Sequence, residues 1–94
     1  MPKIAVYKYL VFYIVSYDLT EQLHLHVFSK KHNRNDGAKI WIKPEIKVFY
    51  RGALSNEEIN LALHLLKKNN HLIKDLIEKF RRGEKIKSLQ LKIR

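Results

Sequence analysis

The stretch KVFYRGALSNEEI, residues 47–59, holds the change of pattern on which the fold turns. Up to Arg51 the chain alternates, with Ile46, Val48 and Tyr50 on one side of a strand and Lys47, Phe49 and Arg51 on the other. Arg51-Gly52 ends that strand. Ser55 and Glu58 then have the spacing of a capping box, in which each side chain takes the backbone amide of the other. Leu54 and Ile59 flank them as a hydrophobic staple. A sheet period of two gives way here to a helical one.

C-terminal to the cap, Ile59, Ala62, Leu63, Leu66, Ile73, Leu76, Ile77 and Phe80 keep helical spacing to Arg82, and Gly83 is placed as a stop. One long helix over residues 55–82 is predicted, interrupted only by Asn69-Asn70, a candidate kink. Leu61, Leu65 and Leu72 widen its apolar stripe beyond what one sheet face needs, which points to a homodimer or an accessory protein. In the basic tail, residues 83–94, the apolar residues Ile86, Leu89, Leu91 and Ile93 read as a final strand or an extended arm.

N-terminal to the cap, residues 3–7 and 9–17 are rich in β-branched and aromatic residues, with Lys8 and Tyr9 as the break between two strands or the bend in one. YDLTEQ, residues 17–22, supplies a turn. In LHLHVF, residues 23–28, Leu23, Leu25 and Val27 alternate with His24, His26 and Phe28. SKKHNRNDG, residues 29–37, is a basic loop ending in the hairpin signal Asp36-Gly37. Residues 38–43 then set Ala38, Ile40 and Ile42 against Lys39, Trp41 and Lys43, and Pro44 marks a turn or an edge. The order strands, helix, strand predicts one α+β domain. Its sheet region is a meandering, mainly antiparallel sheet of about five strands in residues 1–54, with the long helix on one face.

Composition narrows the function. At 94 residues the chain suits one domain, and without cysteine it has no disulfide, thiolate metal site or cysteine nucleophile. The apolar run from Leu10 to Val15 is interleaved with tyrosine and too short to span a bilayer, so a cytoplasmic protein without membrane insertion is expected. Net charge is +10 and unevenly spread. Residues 22–54 carry seven Lys and Arg against two acids and residues 79–94 seven against one, whereas residues 1–21 are neutral and 55–78 slightly acidic. No Gly-rich phosphate loop, G-x-S-x-G elbow or HExxH occurs, so nucleotide hydrolysis, α/β-hydrolase chemistry and zincin proteolysis lack their signatures.

Two constellations carry chemistry. His24 and His26 point to one face of a strand roughly 6.6 Å apart, close enough to share a metal or for one to orient the other. A metal would need a third ligand, with His32 or Glu21 the nearest candidates, and the competing reading is a pair of surface or packing residues beside Trp41. No metal or cofactor is expected. The second constellation is the sheet face itself, on which the histidines and Phe28 would join Lys39, Trp41, Lys43, Lys47, Phe49 and Arg51. Cations interleaved with aromatics hold phosphates while bases stack, which suits single-stranded RNA. Lys30, Lys31 and Arg34 in the loop and Arg81, Arg82, Lys85 and Lys87 in the tail extend that basic surface. The competing reading is a solvated polar face, and helix-end cations that complement the macrodipole.

The opening MPKI, the strands VFYIVSYD, LHLHV and AKIWI, the junction YRGALSNEE and the helix end IEKF together resemble a small bacterial family, domain of unknown function 4160, over nearly the whole chain. Members carry a histidine, two prolines and H-x-H at the third strand. Here the H-x-H is His24 and His26, Gln22 and Leu23 stand in place of the prolines, and the upstream histidine has no counterpart. The resemblance implies a protein encoded beside a second small protein, in an arrangement similar to toxin–antitoxin pairs, and brings no settled chemistry.

The expectation is therefore a toxin-like protein that binds RNA through its basic aromatic face. For cleavage without a metal, His24 or His26 would handle the 2′-hydroxyl or leaving-group proton while Arg51, Lys39 or Lys43 stabilised the phosphorane. The alternative is a non-catalytic module that binds a small acidic, antitoxin-like partner protein through the helix stripe and basic tail.

Overall fold

The computed structural model describes residues 3–14, 24–31, 36–42 and 45–91. The predicted turn over residues 17–22, Leu23, His32, Arg34, Lys43, Pro44 and Ile93 lie outside them. Six strands and two helices follow in the order β1 (Lys3–Tyr7), β2 (Leu10–Ile14), β3 (His24–Ser29), β4 (Ala38–Trp41), β5 (Lys47–Tyr50), α1 (Asn56–Lys68), α2 (Asn70–Arg81) and β6 (Leu89–Gln90). The class is α+β. Strands lie in the order β5-β4-β3-β2-β1-β6, antiparallel from β5 to β1, with β6 parallel to β1, so the sheet is mixed.

Lys8 and Tyr9 separate two strands, because Lys8 takes a left-handed φ of 50° and turns the chain so that Tyr7 pairs with Leu10. Within the tail, Leu89–Gln90 form a strand of this sheet. Leu89 and Gln90 pair with Ala5 and Val6, and the Leu91 amide donates to the Val6 carbonyl at 2.9 Å.

The capping box forms as its spacing predicts: Ser55 Oγ accepts from the Glu58 amide at 3.2 Å and Glu58 Oε1 from the Ser55 amide at 2.9 Å. The single long helix is corrected to two. At Asn69 the backbone turns out of helical geometry, and the side-chain amide donates to the Leu65 carbonyl at 2.8 Å alongside the backbone N–H at 3.0 Å. Asparagine competes in this way for the carbonyls a helix needs, and α2 restarts where the Ile73 amide donates to Asn69.

Both helices pack on the face carrying Leu10, Phe12, Ile14, Leu25, Val27, Ala38 and Ile40, covering it with Ile59, Ala62, Leu65, Leu66, Ile73 and Ile77. Each large side chain so buried contributes roughly 1.5–3 kcal/mol. The break in the helix absorbs most of the wide apolar stripe: Leu65 is buried and Leu61 half-buried against the core, and Leu72 alone of the three stays out, at 57% exposure.

A second correction concerns β5. Strict alternation puts Tyr50 on the core side with Val48, but Ile40 pairs with Val48 while Lys39 pairs with Tyr50, leaving Phe49 as the extra residue of a β-bulge. Such a bulge turns two successive side chains to one side. Tyr50 accordingly shares the outer face with Phe49, its hydroxyl donating to Asp36 Oδ1 at 2.6 Å.

Candidate functional site

Alternation of core residues on the helix side leaves Tyr13, His24, His26, Phe28, Lys39 and Trp41 on the opposite face of the sheet. His24 stands across from Trp41, and His26 stands between Tyr13 on β2 and Lys39 on β4. The rings form one continuous chain of contacts. Phe49 stacks on Trp41 with centroids 4.2 Å apart and planes 25° apart. His24 meets both rings edge-on at 5.4 Å, His26 lies 5.9 Å from His24, Phe28 is 6.0 Å from His26, and Tyr13 is 5.5 Å from Phe28.

The two histidines differ in environment. His24 is 7% exposed, enclosed by Trp41 and Phe49, and is a packed member of the row. His26 is half-buried, and its Nε2 is shut off from solvent with no hydrogen-bond partner among the described residues. Burial, and then the positive fields of Lys39 and His24, hold its pKa below the ordinary 6.5. Held neutral, the imidazole is already in the form a base needs, though a weaker base than a free histidine, and it attracts an anion weakly, so His26 fits a base better than a phosphate contact.

The predicted cations fall into three groups. Lys39 and Lys47 belong to the aromatic face: Lys39 pairs with His26 and Tyr50 and places its ammonium 5.4 Å from the Tyr50 ring centre, and Lys47 stands across from Trp41. Arg51 follows β5 in an exposed position. Lys30 and Lys31 sit at the far end of β3, where Lys31 lies 4.1 Å over the Tyr9 ring, itself packed against the core side. Arg81 ends α2 and Arg82 caps it, in the helical layer across the sheet from the histidines, and Lys85 is exposed in the segment between α2 and β6. Arg81 and Arg82 also have local acidic partners, Glu78 at 3.9 Å and Glu84 at 2.8 Å. Arg34 and Lys43 lie outside the described residues, as do His32 and Glu21 of the metal reading. No three His, Asp or Glu side chains converge among the described residues.

Two aromatic residues of this face escape a sequence reading. Tyr13 sits in LVFYI, where both faces of the strand are apolar and nothing marks which is outward. Tyr50 reaches the face only through the bulge.

No helix among the described residues is long and apolar enough to cross a membrane. Compared with protein-family models, curated proteins and solved structures, the chain matches none.

Proposed function

We propose that this protein is a cytoplasmic, toxin-like member of a bacterial two-gene pair that binds RNA through its aromatic sheet face. The observation that carries the reading is the stacked Trp41–Phe49 pair, flanked by Lys39 and Lys47 on the side of the sheet away from the helices. Rings that lie open beside cations bind single strands by stacking bases while the ammonium groups neutralise phosphates. The resemblance of the H-x-H strand and the YRGALSNEE junction to domain of unknown function 4160 supports the two-gene context.

The same face offers a metal-independent route to cleavage. Neutral His26 would take the 2′-hydroxyl proton as that oxygen bonds to phosphorus, with Lys39 beside it and Arg51 past the end of β5 to offset the charge of the phosphorane. The P–O5′ bond would then break, the 5′-oxygen taking a proton from the His26 imidazolium or water, to leave a 2′,3′-cyclic phosphate and a 5′-hydroxyl. With Nε2 buried, binding is the part of this reading that the geometry favours, and turnover requires the imidazole to be uncovered.

The test is the salt dependence of binding to a labelled, unstructured RNA, for the wild type and a Lys39→Glu/Lys47→Glu variant. Wild-type affinity should fall along a slope of about −0.7 per phosphate neutralised, and the variant should bind more weakly along a shallower slope. Absence of RNA binding at low salt refutes the proposal. A second reading, docking of a partner protein on the helical layer, draws on Leu72, 57% exposed on α2. It predicts salt-insensitive capture of the partner that Leu72→Asp abolishes.

A further inference from the structure

Among the described residues Phe49 and Tyr50 are the exposed large aromatics, at 41% and 46% exposure, and they are consecutive. Neighbours in a regular strand point to opposite faces, so two adjacent rings share this one only because of the bulge at Phe49. Both are held in place. Phe49 is fixed from below by Trp41 and from the side by His24, leaving part of its ring open to solvent. Tyr50 is tethered through its hydroxyl to Asp36, and the Lys39 ammonium rests near its ring. A bulge that brings Tyr50 round beside Phe49, whose ring already sits outward on a rigid support near two lysines, prepares a surface for a flat partner carrying negative charge.

We infer that Phe49 is the residue that selects for unpaired RNA, its open ring receiving one extruded base as the next layer on Trp41 while Lys39 and Lys47 contact the neighbouring phosphates. The inference rests on the RNA-binding reading and names its substrate class. In an A-form duplex the base faces are already stacked on one another, so phosphates, 2′-hydroxyls and base edges can be reached but no base face is offered to the ring. A single strand, a loop or a bulge can turn a base out onto the ring.

Trp41 is the chain's single tryptophan and lies one ring below the proposed base, stacked on the far side of Phe49 at 4.2 Å, so its intrinsic fluorescence reports on this position. Wild-type protein is titrated with a short oligouridylate, with a blunt, fully paired RNA duplex and with inorganic polyphosphate, and anisotropy of labelled RNA gives the affinities. The single strand should quench Trp41, and the duplex and polyphosphate should not. Phe49→Ala and Phe49→Leu should each bind the single strand roughly 5- to 100-fold more weakly, as expected for the loss of one stacked base, while Phe49→Tyr keeps wild-type affinity. Duplex affinity should stay as in the wild type for all three. Phe49→Leu keeps an apolar side chain of similar bulk, so its loss of affinity isolates the flat ring as the contact. If Phe49→Leu binds the single strand as tightly as wild type, or if duplex and polyphosphate quench Trp41 equally well, the inference fails while RNA binding stands. If wild-type protein binds none of the RNAs, the underlying reading fails with it.

Discussion

The Phe28 ring occupies the space that a side chain at Gly37 would need: a Cβ there would lie 2.8 Å from two ring carbons and 2.8 Å from the Val27 carbonyl oxygen. The aromatic row therefore continues over the glycine that immediately precedes the neighbouring strand, β4. Gly37→Ala should destabilise the protein by about 1–3 kcal/mol, the usual range for forcing atoms into a packed site. Pairing it with Phe28→Leu should recover only part of that loss, because the backbone contact with Val27 persists. Urea denaturation of the single and double variants gives the comparison, and full recovery would show the ring to be the whole obstacle.

Gly52 combines a positive φ of 59° with a close backbone approach, since a Cβ would press on the carbonyl oxygens of Asp36 and, at 2.6 Å, Gly37. The Ala53 amide donates to that same Asp36 carbonyl at 2.8 Å, tying the junction between sheet and helix to the start of β4. Asparagine tolerates the left-handed conformation but not the contact. Gly52→Asn should then cost at least as much as Gly37→Ala, and a near-neutral result in thermal unfolding would mean that φ alone matters.

His26 should make the fold sensitive to acid. Its pKa is depressed in the native state, so the folded protein favours the neutral ring. That contribution is complete above the unfolded value of about 6.5 and is lost as pH falls from there through the lower native pKa. A titration of the imidazole resonances should place the His26 midpoint below 6.5. His26→Phe removes a buried nitrogen without a hydrogen-bond partner and should flatten the acid side of the stability profile, with stability at neutral pH unchanged or raised. A His26 midpoint above 6.5 would refute the assignment.

Ser55→Ala removes the hydroxyl that caps the Glu58 amide while leaving the glutamate in place. The loss should be about 1 kcal/mol, read as a lower urea midpoint at constant slope. A changed slope would indicate that the variant alters the unfolded ensemble as well.

Much of this architecture was legible in the chain because the signals concerned are local. The Ser55–Glu58 box needs only four residues, and the alternation about His24 and His26 needs only one buried face. What was not legible depends on partners distant in sequence. Nothing in KVFYR marks Phe49 as a bulge, since the slip is defined by which residues of β4 it faces. The burial of His26 Nε2 depends on packing among several strands, so a histidine that alternates like a surface residue proves partly enclosed. At Asn69 the residue type did point to an interruption, and the bond to Leu65 turns the expected kink into a break.

The parallel pairing of β6 with β1 also orders events in time. Ala5 lies in the first and its partner Leu89 in the last of the strands among the described residues, so during synthesis the outer rim of β1 stays open while β2 to β5 and both helices are made. That long closure is entropically slow, and in the interval the nascent chain carries an unpaired β1 edge able to pair with another chain. Among the described residues it is sealed by the paired Leu89 and Gln90 and the buried Leu91, so deleting these three would reopen the β1 edge that synthesis leaves unpaired.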